Sequence, residues 1–325
     1  MATGPLGLDR PLVLSPMVDV TDAAFRSLAR AWGADVTCSE MVSAAGLVHD
    51  DPTSWRHVAP WPGEKPYGVQ LMGGGPDEVA DAVRRLGERV PGLDFVDLNL
   101  GCPSPNILRA CAGGFLLRDP PRAGRVIAAA KRAADDAGIP HVSAKMRLGH
   151  DDAHRTYREV GAEAEAAGAS WVTLHGRTVV QGYSGSADWD AIGRLVDALG
   201  IPVVGNGDLR TPEGVVAMGE KTGCAGFFIA RAAMHDPTVF RRMRHALDGG
   251  VPGDPPGLAD RLEALCTYLD RAGRIGITRI GDLRRQATRF VSGAPGAKRL
   301  RAMFHDCADA DALRRLVEAA MRSED

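Results

Sequence analysis

Lys145 and Arg147 stand two residues apart in one short apolar run, and His175 and Arg177 do the same in another. On an extended backbone each pair shares a face. A cation turned into a protein interior needs a partner, and a bound anion is one. Gly205-Asn206-Gly207-Asp208 precedes Thr211-Pro212-Glu213, which reads as an N-cap, a first-turn proline and an acidic first-turn residue. Glycine lets backbone N–H groups approach a phosphate, and Arg231, after Ala230, adds charge-assisted bonds. Gln70 and Asn99 carry amides, which donate and accept and so suit the edge of a heterocycle. The set asks for an anion that bears a polar ring.

Eight short β-rich runs must position these residues: Pro11–Met17, Asp35–Met41, Tyr67–Gly73, Phe95–Gly101, His141–Gly149, Ser170–Gly176, Ile201–Gly207 and Cys224–Arg231. Amphipathic segments separate them; Val79, Ala80, Val83 and Leu86 fall on one helical face behind Pro76. After the second run the helix is poorly formed, and Asp50–Pro66 reads as a long loop. Eight β/α units in about 235 residues predict a (β/α)8 TIM barrel rather than an open doubly wound sheet. The polar residues then fall at the C-terminal strand ends, where such barrels build active sites, and the glycine-rich turn with Arg231 matches the usual phosphate site after strands seven and eight. Flavin mononucleotide (FMN) meets these demands, with Lys145 beside the electron-rich pyrimidine portion of its ring. A dinucleotide does not, because no Gly-x-Gly-x-x-Gly follows any strand.

Beyond the breaker-rich Val251-Pro-Gly-Asp-Pro-Pro-Gly257 no strand pattern appears. Leu258–Ala272, Asp282–Val291, Lys298–Phe304 and Ala310–Met321 predict a small C-terminal helical bundle, giving domains at 1–250 and 257–325. The tail holds 13 Lys or Arg against 10 Asp or Glu, so it is locally +3 in a chain of net charge −2. A mildly basic patch on an acidic body can hold a polyanion. The six cysteines form no Cys-x-x-Cys pair, which favours reduced thiols over a zinc site or disulfides; no metal is expected. With no run of about 18 apolar residues and no basic-then-apolar leader, neither a membrane span nor a signal peptide is expected, and the cytoplasm is the expected location.

The chain resembles the dihydrouridine synthases. The resemblance rests on Ser15-Pro16-Met17 with Thr21-Asp22-x-x-Phe25-Arg26, Ser39-Glu40-Met41, Val69-Gln70-Leu71, and Val96-Asp97-Leu98-Asn99-Leu100-Gly101-Cys102-Pro103. It continues through Lys145-Met146-Arg147, Leu174-His175-Gly176-Arg177-Thr178, Gln181-Gly-Tyr183-Ser-Gly185-Ser-Ala187-Asp188-Trp189, Gly205-Asn206-Gly207-Asp208 and Ile229-Ala230-Arg231. It covers about Pro11 to Phe240, in order. Two stretches depart from the family pattern: Ser104-Pro105-Asn106-Ile107 stands where a Lys or similar base often follows Gly-Cys-Pro, and Ile229-Ala230-Arg231-Ala232 replaces Ile-Gly-Arg-Gly.

The resemblance implies an FMN cradled by Pro16, Met17, Gln70, Lys145, His175, Asn206, Gly207, Asp208, Ala230 and Arg231, with NADPH or NADH as a transient reductant. It implies that Cys102 protonates uracil C5 while reduced flavin delivers hydride to C6; a thiol is mostly protonated at neutral pH and suits that task. Cys111 is the second candidate thiol. The implied substrate is a uridine in RNA, most naturally tRNA, flipped into the barrel mouth. Asn99 and Arg147 are then expected to bind the substrate, Arg177, Gln181 and Tyr183 to hold the flipped base or its backbone at the mouth, and Arg285 and Arg289, on one helical face of the tail, to meet the RNA. Two rival readings are a flavin barrel acting on free pyrimidine, as dihydroorotate dehydrogenases do, and a non-catalytic RNA-binding barrel. The basic tail argues against the first; Cys102, Lys145, His175 and Arg177 argue against the second.

Overall fold

The computed structural model describes residues 4–236 and 238–322. Both ends of the division at 1–250 and 257–325 run onto residues outside that set. Eight parallel strands close into a barrel in sequence order: β1 (Leu12–Leu14), β2 (Val36–Ser43), β3 (Tyr67–Met72), β4 (Phe95–Leu100), β5 (His141–Arg147), β6 (Trp171–His175), β7 (Val203–Asn206) and β8 (Phe227–Ile229). The seam is β1 against β8, with Leu12 opposite Phe227 and Leu14 opposite Ile229. Every expected strand overlaps one observed strand. The strands are buried on both faces, as a parallel sheet wrapped by helices requires.

Inside the barrel, Val13, Val36, Cys38, Phe95, Trp171, Val204 and Phe228 form a separate apolar cluster, with Phe95 edge-on to Trp171 at 5.2 Å. Gly68 makes room for it: a Cβ there would stand 2.2 Å from the Phe95 ring. Toward the mouth the inward positions turn polar. Gln70, Asp97 and Ser143 are lateral neighbours on β3, β4 and β5, and Asn99 lies one inward step further along, opposite Lys145. The interior is therefore a dry plug at the N-terminal end and a polar floor near the C-terminal end.

The stretch 50–66 differs from its reading as a loop. Helix Ala44–Val48 follows β2 directly, and helix Pro52–His57 begins at Asp51, whose carboxylate accepts from Ser54 N. Both are one to two turns long, too short for an amphipathic period to show.

Residues 251–257 have no regular structure, and the helices Leu258–Arg274, Ile280–Val291, Ala297–Asp306 and Ala310–Arg322 follow. They pack on the helix Ala23–Ala31 rather than standing free. Phe290 meets Phe25 edge-on at 6.1 Å, Tyr268 donates to the Asp22 carboxylate at 2.8 Å, and Gln286 donates to the Val20 carbonyl at 2.7 Å. The Thr21-Asp22-x-x-Phe25-Arg26 motif is accordingly structural. Asp22 caps its helix through Phe25 N, and the fully buried Arg26 pairs with Glu64 at 2.8 Å.

Candidate active site

A cavity of about 510 Å³ opens at the C-terminal ends of the strands, within the roughly 300–1,000 Å³ range of small-molecule sites. Cations Lys145, Arg147, Arg210, Arg231 and Arg289 line it, and Asp208 is its single acid among the described residues. That acid is already matched, accepting from Arg177 at 2.7 Å, Arg231 at 3.0 Å and Ala187 N at 2.8 Å. Burial alone would raise the Asp208 pKa, but these donors bring it below the usual carboxylate value. The wall is left with an uncompensated positive potential.

His175 and Lys145 register that potential. Burial first, and then Lys145, Arg147, Arg177 and Arg231, push the His175 pKa far down, so the ring is neutral. Burial, reinforced by Arg147 and opposed by Asp97, lowers Lys145 to about 8. Lys145 Nζ donates to Asn206 Oδ1 at 3.1 Å, and Asn206 Nδ2 is held by the Phe228 carbonyl at 2.7 Å. Gly207 takes φ of +116°, and a Cβ on it would lie 2.8 Å from Ala187 Cβ and 2.9 Å from the His175 ring. Only glycine lets that turn pass so close beneath the cavity.

Cys102 lines the cavity and Cys111 does not. Cys102 sits at the start of the loop after β4, where its N–H donates to Asn99 Oδ1 at 2.9 Å and its carbonyl accepts from Gly114 N at 3.1 Å. Cys111, in the left-handed region at φ +55°, turns its carbonyl toward Gly74.

Of the other expected residues, Pro16, Met17, Gln70, Asn99, Tyr183, Asn206, Gly207 and Ala230 also border the cavity, but Arg177 and Gln181 do not. Arg177 is 1% exposed and braces the 181–187 loop, donating to the Ser184 and Gly185 carbonyls at 3.0 and 2.6 Å. Gln181 Oε1 accepts from Thr178 N in the same loop. Both shape the loop that carries Tyr183. The exposed Tyr183 ring lies 5.5 Å from the Arg147 guanidinium, 5.3 Å from that of Arg231 and 6.3 Å from His175. Gln70 and Asn99 bond chiefly to one another and to neighbours, Asn99 Nδ2 donating to Gln70 Oε1 at 2.9 Å, so their amides are less free for a heterocycle than their types suggest.

Sequence reasoning missed Arg210, Met41, Phe228 and Met234, which also border the cavity. Arg210 lies two residues past the glycine-rich turn and Met41 closes the Ser39-Glu40-Met41 motif, so both had a signal; Phe228 and Met234 carry none. Arg289 was expected on an RNA-facing surface. Instead it lines the cavity, its guanidinium donating to the Asp19 carbonyl, while Arg285 pairs with the Asp19 carboxylate at 3.7 Å and with Asp282 at 2.5 Å. Asp19 N in turn donates to the buried Glu40 carboxylate at 2.8 Å. The tail thus reaches the rim of the site through Asp19.

A closed (β/α)8 barrel with a thiol, amides and cations around a cavity at its C-terminal mouth has the architecture of a barrel enzyme. More particularly, the chain belongs to the dihydrouridine synthase family, whose model, "Dihydrouridine synthase (Dus)", matches residues 13–324. It is thereby a flavin-dependent oxidoreductase that forms dihydrouridine. It is 39% identical over 256 residues to a probable tRNA-dihydrouridine synthase of Treponema pallidum, covering 77% of this chain and 75% of the relative. It is 33% identical to tRNA-dihydrouridine synthase B of Pseudomonas aeruginosa, covering 95% and 92%. Among solved structures, histamine dehydrogenase from Rhizobium sp. 4-9 matches with a TM-score of 0.57 at 14% identity over 83% of this chain and 50% of that one, a likeness of fold. Among the described residues no helix is long and apolar enough to cross a membrane, and no group of three or more potential metal ligands occurs.

Proposed function

We propose that this protein reduces a uridine of tRNA to 5,6-dihydrouridine with FMN as its bound cofactor and NADPH or NADH as electron source. The observation that carries the reading is the excess of cations over acids around a cavity that also holds Cys102. The residues fit an FMN: Lys145, Arg231, Asn206 and the Gly207 backbone would hold it, with Gln70, His175 and the Pro16–Met17 turn along the ring. The chemistry a bound FMN supplies is delivery of a hydride to uracil C6. Cys102 Sγ donates its proton to C5, so that H⁻ and H⁺ add across the C5=C6 bond, and the thiolate takes a proton back from solvent. Neutral His175 offers a ring N–H or lone pair without adding charge. Tyr183, its ring against the Arg147 and Arg231 guanidinium groups, borders the same cavity.

The barrel, 1–250, is the catalytic part and 257–325 the part that grips RNA. A stacked or paired uracil cannot reach the floor of the mouth, so the base must swing out. The same cavity would accept a free pyrimidine, but the tail seated at its rim through Asp19 favours a substrate that extends past the mouth. The test is purification, flavin identification and turnover of unmodified tRNA against orotate and free uracil. A colourless protein that FMN cannot reconstitute, or turnover confined to the free bases, overturns the reading.

A further inference from the structure

A one-way chain of hydrogen bonds runs under the candidate proton donor, and it begins at a residue with no other assigned task. Asp97 on β4 is fully buried. Its carboxylate accepts from Gln70 Nε2 at 2.7 Å and from Ser143 Oγ at 2.7 Å. Gln70 Oε1 accepts from Asn99 Nδ2 at 2.9 Å. Asn99 Oδ1 then accepts from the backbone N–H groups of Gly101 at 3.1 Å and Cys102 at 2.9 Å.

The direction of this chain follows from chemistry. Burial raises the Asp97 pKa, and the Gln70 and Ser143 donors with nearby Lys145 oppose that rise; as a carboxylate Asp97 has no proton to give, so Gln70 turns its NH₂ to Asp97 and its oxygen to Asn99. Asn99 must then present its NH₂ to Gln70 and its oxygen to the turn. One fixed acceptor at the bottom sets the polarity of two amides, and the last of them meets two backbone donors. Were Gln70 reversed, Asn99 would reverse too, and its NH₂ would face the Gly101 and Cys102 N–H groups. Two partly buried donors would lose their acceptor. We propose that Asp97 is a positioning residue for Cys102: as the fixed acceptor of the Asp97–Gln70–Asn99 chain it orients both amides and so pins the turn that carries the thiol. The turn's geometry stands by itself; its relevance to catalysis rests on the reading of Cys102 as proton donor.

The structure also supplies the control and the rescue. Ser143 binds Asp97 but takes no part in the chain to the turn. Swapping the two termini, Asp97→Asn with Gln70→Glu, keeps the buried negative charge and restores the polarity. The amide now at position 97 would donate its NH₂ to the carboxylate now at position 70, whose other oxygen accepts from Asn99, leaving Asn99 Oδ1 on the turn. The swap also keeps an anion in the floor near Lys145, so loss of charge cannot by itself account for a difference between Asp97→Asn and the double variant.

Hydrogen exchange at the Gly101 and Cys102 amides, read by mass spectrometry or NMR on the full chain, tests the proposal. Asp97→Asn is expected to speed exchange at these two amides on the order of tenfold, the worth of a lost hydrogen bond. Ser143→Ala should leave them unchanged, and Asp97→Asn/Gln70→Glu should restore the parent rate. Parent-like rates in folded Asp97→Asn, or an equal acceleration in Ser143→Ala, overturn the proposal. If Asp97→Asn does not fold, the double variant decides: protected amides support the chain, and unprotected amides in a cooperatively folding protein refute it. Turnover at saturating FMN is read separately. A fall in kcat with little change in KM for RNA in Asp97→Asn, absent in Ser143→Ala, ties the chain to the thiol's chemistry. Amide exchange behaving as expected while turnover stays constant supports the positioning of the turn and overturns its link to the reaction.

Discussion

Arg177 donates to the Asp208 carboxylate at 2.7 Å from a site 1% exposed to solvent. The guanidinium is buried, whereas the carboxylate keeps a quarter of its side-chain surface and a second partner in Arg231. Losing the acid strands a buried cation; losing the Arg leaves a partly exposed acid that is still paired. Asp208→Ala is therefore expected to destabilise the protein by roughly 3–5 kcal/mol, and Arg177→Met by clearly less. Urea unfolding midpoints check the order, and an inverted order would show that the Arg177 bonds to Ser184 and Gly185 outweigh the ion pair.

Cys102→Ala is expected to leave flavin content and flavin reduction by the nicotinamide intact while product formation falls about 10²–10⁴-fold. The Asn99 bond to the backbone N–H at 102 does not depend on the side chain, so the turn should persist. Single-turnover kinetics with pre-reduced protein isolate the step. The opposite phenotype, a loss in Cys111→Ala alone, would move the donor to the far side of the loop.

Much of this was legible in the sequence because it depends on period and chemistry. Eight apolar runs with helical spacing between them specify the barrel, and charged residues two apart at the ends of those runs specify a charged mouth. What stayed hidden depends on which neighbour claims a side chain. Arg177 and Lys145 look alike in a motif, yet one is held in its loop by Asp208 and two carbonyls while the other reaches the cavity. Gln70 and Asn99 read as free amides because nothing local shows that Asp97 fixes them from below. Arg289 lies 270 residues from Asp19, and no spacing rule links a tail helix to the β1 loop.

Lys145 gives a pH signature in the flavin-free protein. Burial lowers its pKa from 10.5 to about 8, so its charged form is disfavoured in the fold. The unfolded chain holds the proton more tightly, and stability rises with pH across the window from about 8 to 10.5. Below about pH 8 the cost is fully present. Lys145→Met is therefore expected to raise the Tm of flavin-free protein at about pH 7, with an advantage that shrinks toward about pH 10. Added FMN should reverse the order at the lower pH, because only the parent offers it an ammonium. Calorimetry at the two pH values, with and without FMN, checks this; an advantage that is constant with pH would count against the depressed pKa.

The tail offers two basic surfaces that should behave differently. Lys298, Arg299 and Arg301 are exposed around an open groove at the start of helix Ala297–Asp306, whereas Arg285 and Arg289 are engaged with Asp19 at the rim of the cavity. Reversing the charges of Lys298 and Arg299 should weaken tRNA binding and flatten its salt dependence, by about 0.7–0.9 in the log–log slope for each phosphate no longer neutralised. Flavin affinity should be unchanged, since neither side chain borders the cavity. Reversing Arg285 and Arg289 places two carboxylates against the Asp19 carboxylate and carbonyl. That repulsion acts on the 17–20 loop, whose Met17, Val18 and Val20 line the site. The second double variant should therefore lose flavin faster as well as bind tRNA more weakly. Flavin dissociation followed by fluorescence, beside tRNA affinity at several salt concentrations, separates the two surfaces. Equal flavin retention in both double variants would mean that the tail grips RNA without shaping the mouth.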